Sequence, residues 1–241
     1  GVPNAIRTAR EVLEPMGKKL IGIRLDSGDL AYLSKEARKM LDEAGLSDCM
    51  IVASNSLDEY TISSLNRQGA KIDSYGVGER LITSSSTPVF GAVYKLVAIQ
   101  KDGKFIPKIK ISETAEKITN PGIKEVYRVY DENGKAVADY LAVKGEQIRD
   151  FDPVRYVDPV NYWKNRSFVG CRFKKLQVPV FEKGKRIYDL PDIEEIRQYV
   201  KDQLENEIWE EEQRFENAHT HYLDMSPAMF ELKMSLLHEE N

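Results

Sequence analysis

The chain has 241 residues, 41% hydrophobic and 31% charged, with a net charge of −4 and a pI near 5.6, the profile of one large or two modest domains of a soluble globular protein. Its 35 basic residues are scattered among 39 acidic ones, which argues against a general nucleic-acid surface, where Lys and Arg cluster. No apolar run approaches the roughly 20 residues of a membrane helix, so no membrane association is expected, and two cysteines in a chain of this size read as cytoplasmic.

The start, Gly1-Val2-Pro3-Asn4, has no methionine and no signal-peptide pattern, and reads as the interior of a longer chain. Residues 3–16 have the spacing of a short amphipathic helix, with Ile6, Ala9 and Leu13 on one side. Residues 19–25 form a mostly apolar strand that runs into Asp26-Ser27-Gly28-Asp29. Leu30, Leu33, Ala37, Leu41 and Ala44 then recur at helical spacing, with Gly45 as a stop. Residues 50–53 read as a second buried strand, opened by Cys49, whose thiol is expected to be buried rather than bridged. It ends in Ser54-Asn55-Ser56, and Ser56 with Glu59 has capping-box spacing for a second helix that Gly69 ends. A third, weaker strand over residues 72–75 runs into Gly76-Val77-Gly78.

The rhythm changes after about Pro88. Three pairs of strand-like runs flank turn dipeptides: 92–99 and 105–111 around Asp102-Gly103, 126–130 and 136–141 around Asn133-Gly134, and 177–181 and 186–188 around Lys183-Gly184. The tail is expected to be helical, with Asp192 capping one helix and Ser226-Pro227 starting the last. The expected division is therefore a partial β/α barrel over residues 1–91, an antiparallel β-rich region over 92–190, and a C-terminal helical segment over 191–241.

Parallel β/α units gather their chemistry at strand C-termini, and the three polar or glycine-rich strand ends are the candidate site. Asp26 can accept from ribose hydroxyls, or bind a metal with Asp29. Arg24, two residues earlier on an extended strand, points the same way and needs Asp26 or an anionic ligand as its partner. Ser27 and Gly28 let backbone approach a ligand, Ser54 and Asn55 add polar groups, and Gly76 and Gly78 expose N–H groups of the kind that cradle phosphate. Each motif alone also reads as a turn or a cap. Lys95 reads more readily as a solvent-facing strand lysine. The H-x-H pair His219 and His221 reads as surface loop, and no metal-ligand cluster emerges.

Taken together, Gly22-Ile23-Arg24-Leu25-Asp26-Ser27-Gly28-Asp29-Leu30, Gly76-Val77-Gly78 with Leu81, Thr83 and Ser84, Val93-Tyr94-Lys95-Leu96-Val97, and the stretch from Asn120-Pro121-Gly122 to Tyr127-Arg128 closely resemble nicotinate phosphoribosyltransferase. The resemblance covers nearly the whole chain and is to the C-terminal half of a bacterial enzyme. It implies an irregular α/β barrel of the type II phosphoribosyltransferase kind. The implied reaction makes nicotinate mononucleotide and pyrophosphate from nicotinate and phosphoribosyl pyrophosphate, coupled to ATP hydrolysis with Mg2+, in NAD salvage. It also implies a homodimer and a missing N-terminal half as partner. By that resemblance Arg24 and Asp26 lie near base and ribose, Ser27, Gly28, Ser54 and Asn55 in phosphoribosyl-binding loops, and Gly76 and Gly78 at the 5′-phosphate. None of the three histidines here sits in the motif of the family's phosphorylated histidine, and Glu79-Arg80 departs from the small hydroxyl residue expected after Gly78. A related transferase acting on nicotinamide or quinolinate, or a non-catalytic interaction module built on the acidic helix, are the alternatives. The chain alone is expected to fold poorly or be inactive, because a partial barrel leaves strand edges open.

Overall fold

The computed structural model describes residues 1–89, 91–114 and 117–239, and it divides into two compact units, Gly1–Ala92 and Val93–Asn241. In the first, helix α1 (Val2–Thr8) continues through wider and tighter turns to Met16. Strands β1 (Gly22–Leu25), β2 (Met50–Ser54) and β3 (Ser74–Gly76) then form a parallel sheet with β2 in the middle. β1 is shorter than the apolar run that encodes it, because its ladder begins where Gly22 meets Met50, the first residue of β2.

Helix α2 (Leu30–Glu43) begins at Asp29, whose carboxylate accepts from the Tyr32 N–H, and buries Leu30, Ala31, Ser34, Ala37 and Leu41. Ser34 is fully buried but satisfied: its hydroxyl donates to the Ala31 carbonyl and accepts from the Lys71 N–H. Arg38 donates to the Cys49 and Leu46 carbonyls, which ties this helix to the start of β2. Gly45, at φ +72°, ends the helix as expected.

Helix α3 (Glu59–Arg67) departs from expectation at its first turn. Its cap is Asp58, which accepts from the Thr61 N–H at 2.8 Å, and not Ser56. Ser56 sits at φ +48°, outside the extended region an N-cap adopts, and its hydroxyl turns to Asn55. A short helix, α4 (Glu79–Ile82), follows β3.

The second unit opens with the hairpin β4 (Ala98–Lys101) and β5 (Lys104–Pro107), turning at Asp102-Gly103 with both residues at positive φ. A six-stranded sheet follows in the order β10-β6-β7-β13-β8-β9. Its strands are β6 (Lys124–Tyr130), β7 (Ala136–Val143), β8 (Val154–Val157), β9 (Asn165–Phe168), β10 (Arg172–Lys175) and β13 (Leu223–Met225). The β6–β7 connection is not the two-residue turn that Asn133-Gly134 suggests. A register shift at Val129/Tyr130 lengthens it, and the Asp131 carboxylate holds it by accepting from the Asn133 and Lys135 N–H groups. A second small hairpin, β11 (Phe181–Glu182) and β12 (Lys185–Arg186), turns at Lys183-Gly184 as expected.

Strands β8, β9 and β10 were invisible to periodicity: each is four residues long and interrupted by Arg155, Arg166, Arg172 or Lys174. The tail is not purely helical. After α5 (Ile193–Asp202), which has the full Asp192/Glu195 capping box, and α6 (Glu210–Gln213), it supplies β13, parallel to β7 and antiparallel to β8. Helix α7 (Pro227–Glu239) starts at buried Ser226, whose hydroxyl accepts from the Met229 N–H and donates to Glu146. Tyr140 anchors one face of the sheet against Phe168 and Phe173, and Leu141 and Met225 pack with Met229 on the other. Among the described residues no helix is long and apolar enough to cross a membrane.

The cap assignment is testable by urea denaturation. Asp58→Ala is expected to lower the stability of the first unit by about 0.5–2 kcal/mol, while Ser56→Ala leaves it within about 0.5 kcal/mol. Equal effects would return the cap to Ser56.

Candidate functional site

The parallel register brings three strand ends to one edge, since Leu25 lies beside Ala53 and Ser54 beside Gly76. There Arg24 donates from Nε to the Ser54 hydroxyl at 2.8 Å and pairs with Asp26 at 3.1 Å. Both members of the ion pair are more than half exposed, at 63% and 52%. Such pairs contribute little to stability because water and salt screen them. An arginine in an otherwise apolar strand, held by a serine from the next strand, is therefore poorly explained as a stabilising device.

Close approach fixes two of the glycines. A Cβ on Gly76 would stand 3.3 Å from the Ser54 Cβ, and one on Gly28 would stand 3.1 Å from a Leu33 methyl, with Gly28 itself at φ +76°. Asn55 and Ser56 hold φ values of +96° and +48°. Two consecutive non-glycine residues in that region carry strain, which concentrates at ligand-binding turns.

The helix starts at this edge are not equivalent. Asp29 and Asp58 already place a carboxylate on the N–H groups of α2 and α3. Asp29 thus spends one carboxylate oxygen on its cap. Gly78, before α4, offers no side-chain cap. Arg80 pairs at 3.0 Å with Asp58, the α3 cap. Of the sequence candidates, the structure joins Arg24, Asp26, Ser54 and Gly76, and places Asn55, Gly28 and Gly78 in the adjoining loops. Ser27 lies in the same loop, with no side-chain hydrogen bond among the described residues. Lys95 donates to the Lys117 carbonyl within the second unit.

Residues 123–233 match the profile of the nicotinate phosphoribosyltransferase C-terminal domain. Over 99% of its length the chain is 47% identical to nicotinate phosphoribosyltransferase of Bacillus subtilis, and over 96% it is 37% identical to that of Dictyostelium discoideum. The chain is similar to this family. It corresponds to the C-terminal half of family members, and it spans about half the length of the curated relatives it matches: 48% and 41% of those two. The crystal structure of human nicotinic acid phosphoribosyltransferase superposes over 98% of this chain and 44% of its own, with a TM-score of 0.74 at 25% identity. Nicotinate-nucleotide pyrophosphorylase from Pyrococcus furiosus superposes over 85% of this chain and 43% of its own, with a TM-score of 0.54 at 26% identity. The α/β architecture read from the strand and helix pattern is that of these phosphoribosyltransferases.

Two groups of this chain escaped the sequence reading. His221 lies in a loop, as expected, but is half-buried there rather than at the surface. Its Nδ1 lies 3.1 Å from both Glu212 oxygens, and its Nε2, buried and without a hydrogen-bond partner, stands 3.4 Å from Asp139. Asp139 in turn accepts from Arg128 through both oxygens, at 2.9 and 3.1 Å. His219 points elsewhere, its ring edge-on to Tyr222, so the H-x-H pair does not converge. Among the described residues no cluster of three metal-ligating side chains forms.

The second group is Asp224, 7% exposed, whose carboxylate makes no hydrogen bond among the described residues. Burial, and then the neighbouring Asp158 charge, push its carboxyl from 3.8 up to about 6. Only strand β13 placed it there, and a lone aspartate before Met-Ser-Pro carries no such signal.

A raised acid pKa means that the folded chain binds the extra proton, so this contribution is intact below the ordinary value and lost as pH rises through the folded one. Stability of the second unit should therefore fall between about pH 4 and pH 6. Asp224→Asn, which resembles the protonated carboxyl, should remove that fall and be more stable above the window by on the order of 2 kcal/mol. Calorimetric melts of both proteins across this range decide it, and parallel pH profiles would exclude the assignment.

Proposed function

We propose that the chain works as part of a nicotinate phosphoribosyltransferase, joining nicotinate to the ribose C1 of phosphoribosyl pyrophosphate with release of pyrophosphate. The observation that carries this reading is the Arg24–Asp26–Ser54 contact at the strand ends beside Gly76, in a chain aligned over 99% of its length with an enzyme of that name. The remaining substrate contacts would come from the half of the relatives' length that this chain does not span.

The reaction passes through an oxocarbenium-like state, with positive charge on the ring as pyrophosphate leaves. Asp26 holds the sugar by accepting from its hydroxyls and is oriented for this by Arg24, rather than attacking carbon itself. The Arg24 guanidinium, fixed by Ser54 and Asp26, places positive charge where a base carboxylate or a phosphate oxygen is to sit. Backbone N–H groups of Gly76-Val77-Gly78 receive the 5′-phosphate, the two acid-capped helix starts being unsuited to an anion. Ser27, Gly28 and Asn55 approach the same ligand through their backbone.

Magnesium fits this edge only as a partner of the pyrophosphate. Asp26 is the one sequence-assigned carboxylate there not committed to a helix start, and one carboxylate plus substrate phosphates is a common magnesium environment. When bound, the ion would neutralise pyrophosphate charge. ATP as co-substrate, a homodimer and a cytoplasmic setting complete the proposal. The two free, buried cysteines, Cys49 and Cys171, support a reducing compartment. The exposed apolar side of α5, with Ile196, Tyr199 and Val200, supports further association.

The complete protein should convert nicotinate, and not nicotinamide or quinolinate, to its mononucleotide with phosphoribosyl pyrophosphate and magnesium, and ATP should stimulate the reaction. Asp26→Ala and Arg24→Ala should each lower kcat/KM by about 10- to 100-fold, the usual consequence of losing a charge-assisted contact. Turnover with quinolinate alone would transfer the chain to the related transferase. Unimpaired Asp26→Ala would remove the site assignment.

A further inference from the structure

A cavity of about 450 Å3 lies wholly within the six-stranded sheet region, over the β7, β13, β8 and β9 strands. Its volume falls in the range of small-molecule sites. Asp224 lines it: the residue is 7% exposed, and its carboxylate makes no hydrogen bond among the described residues. Buried carboxylates are otherwise hydrogen-bonded or paired, because leaving them bare in a low-dielectric setting is costly.

The rest of the wall is chemically mixed in a way an unused gap is not. Tyr156 and Phe168 stack on one side with ring centroids 4.3 Å apart, and Tyr222 lines the cavity with them. Lys164 and Arg166 stand at the rim, exposed to solvent, with no salt bridge binding Arg166 to a protein carboxylate among the described residues. Asp158, the other acid of the wall, is already committed: it accepts from the Val160 and Asn161 N–H groups at 2.8 Å and from the Asn161 amide. Asp224 alone is left without a partner. An acidic base under aromatic walls suits a nitrogen donor or cation on a flat or compact ligand, and a basic rim suits an anion attached to it.

We propose that this cavity binds a small amino-bearing anion, its nitrogen donor seated on Asp224 and its anionic group at Lys164 and Arg166. The chemistry is shared by nucleoside monophosphates, which present an amino-substituted ring and a phosphate, and by a basic amino acid, which presents a guanidinium and a carboxylate. None of the cavity residues belongs to the Arg24 edge, so the site stands or falls independently of the transferase reading.

Isothermal titration calorimetry of the complete protein against AMP, GMP, L-arginine and inorganic phosphate provides the test. At least one of the first three is expected to bind, with Asp224→Asn and Arg166→Ala each weakening it roughly tenfold or more. Inorganic phosphate should bind more weakly and be indifferent to Asp224→Asn. Asp224→Asn keeps the side-chain shape, and Arg166 is exposed, so neither change should unfold the protein. Nucleotide binding without arginine binding would identify the flat ring as the recognised element, and the reverse would identify the guanidinium. No binding by any of the three, or affinities unaltered by Asp224→Asn, would overturn the proposal. Unaltered affinity in Arg166→Ala would overturn its anionic half.

Discussion

Each half of this chain depends on one short strand that must find partners on both sides. Backbone N–H and C=O groups cannot be buried unpaired, and Met50–Ser54 in the first unit and Leu223–Met225 in the second satisfy them to left and right. In the first unit this obligation aligns β1 and β3 on β2 in parallel, which brings their C-terminal ends to one edge. In the second it draws a three-residue piece of the tail between β7 and β8, which would otherwise share no ladder.

The chemistry of the strand-end edge follows from that alignment. Ser54 reaches Arg24 across thirty positions of sequence because the two strands run in register. Gly76 is required beside Ser54 because parallel neighbours bring their side-chain positions within contact. The loops take up the remaining strain, at Asn55 and Ser56. Two of the three helices at this edge carry their own aspartate, and the third, after the glycine pair, has no side-chain cap.

In the second unit, buried charge is handled in two ways. Arg128, Asp139, His221 and Glu212 form a chain in which each group but the imidazole Nε2 is satisfied, and it holds the segment after α6 against the sheet. Asp224, one strand position beyond Leu223, has no such neighbours and faces a cavity instead. The alternation of a strand explains the contrast, since successive side chains leave β13 on opposite faces. One face meets Leu141, Met229 and α7, the other the aromatic rings around Tyr140.

Much was legible in the sequence where a local rule applied. The β/α order, the stop at Gly45, the starts at Asp192 and Ser226, the turns at Asp102-Gly103 and Lys183-Gly184 and the buried thiols follow from spacing, caps and turn chemistry over a few residues. The polar strand ends were recognisable for the same reason, because a strand that stops at Asp26 or Ser54 announces where its side chains collect. What only the tertiary structure decided were contacts between distant segments. These are the transfer of the α3 cap from Ser56 to Asp58, the contacts of His221 with Glu212 and Asp139, the placing of β13 inside a sheet and the isolation of Asp224. The cap moved because Ser56 was taken into a left-handed turn, and the others depend on which strands pair across the chain. Local sequence sets what a segment can form, but the partners that bury a charge or lengthen a ladder lie far along the chain, and only folding brings them together.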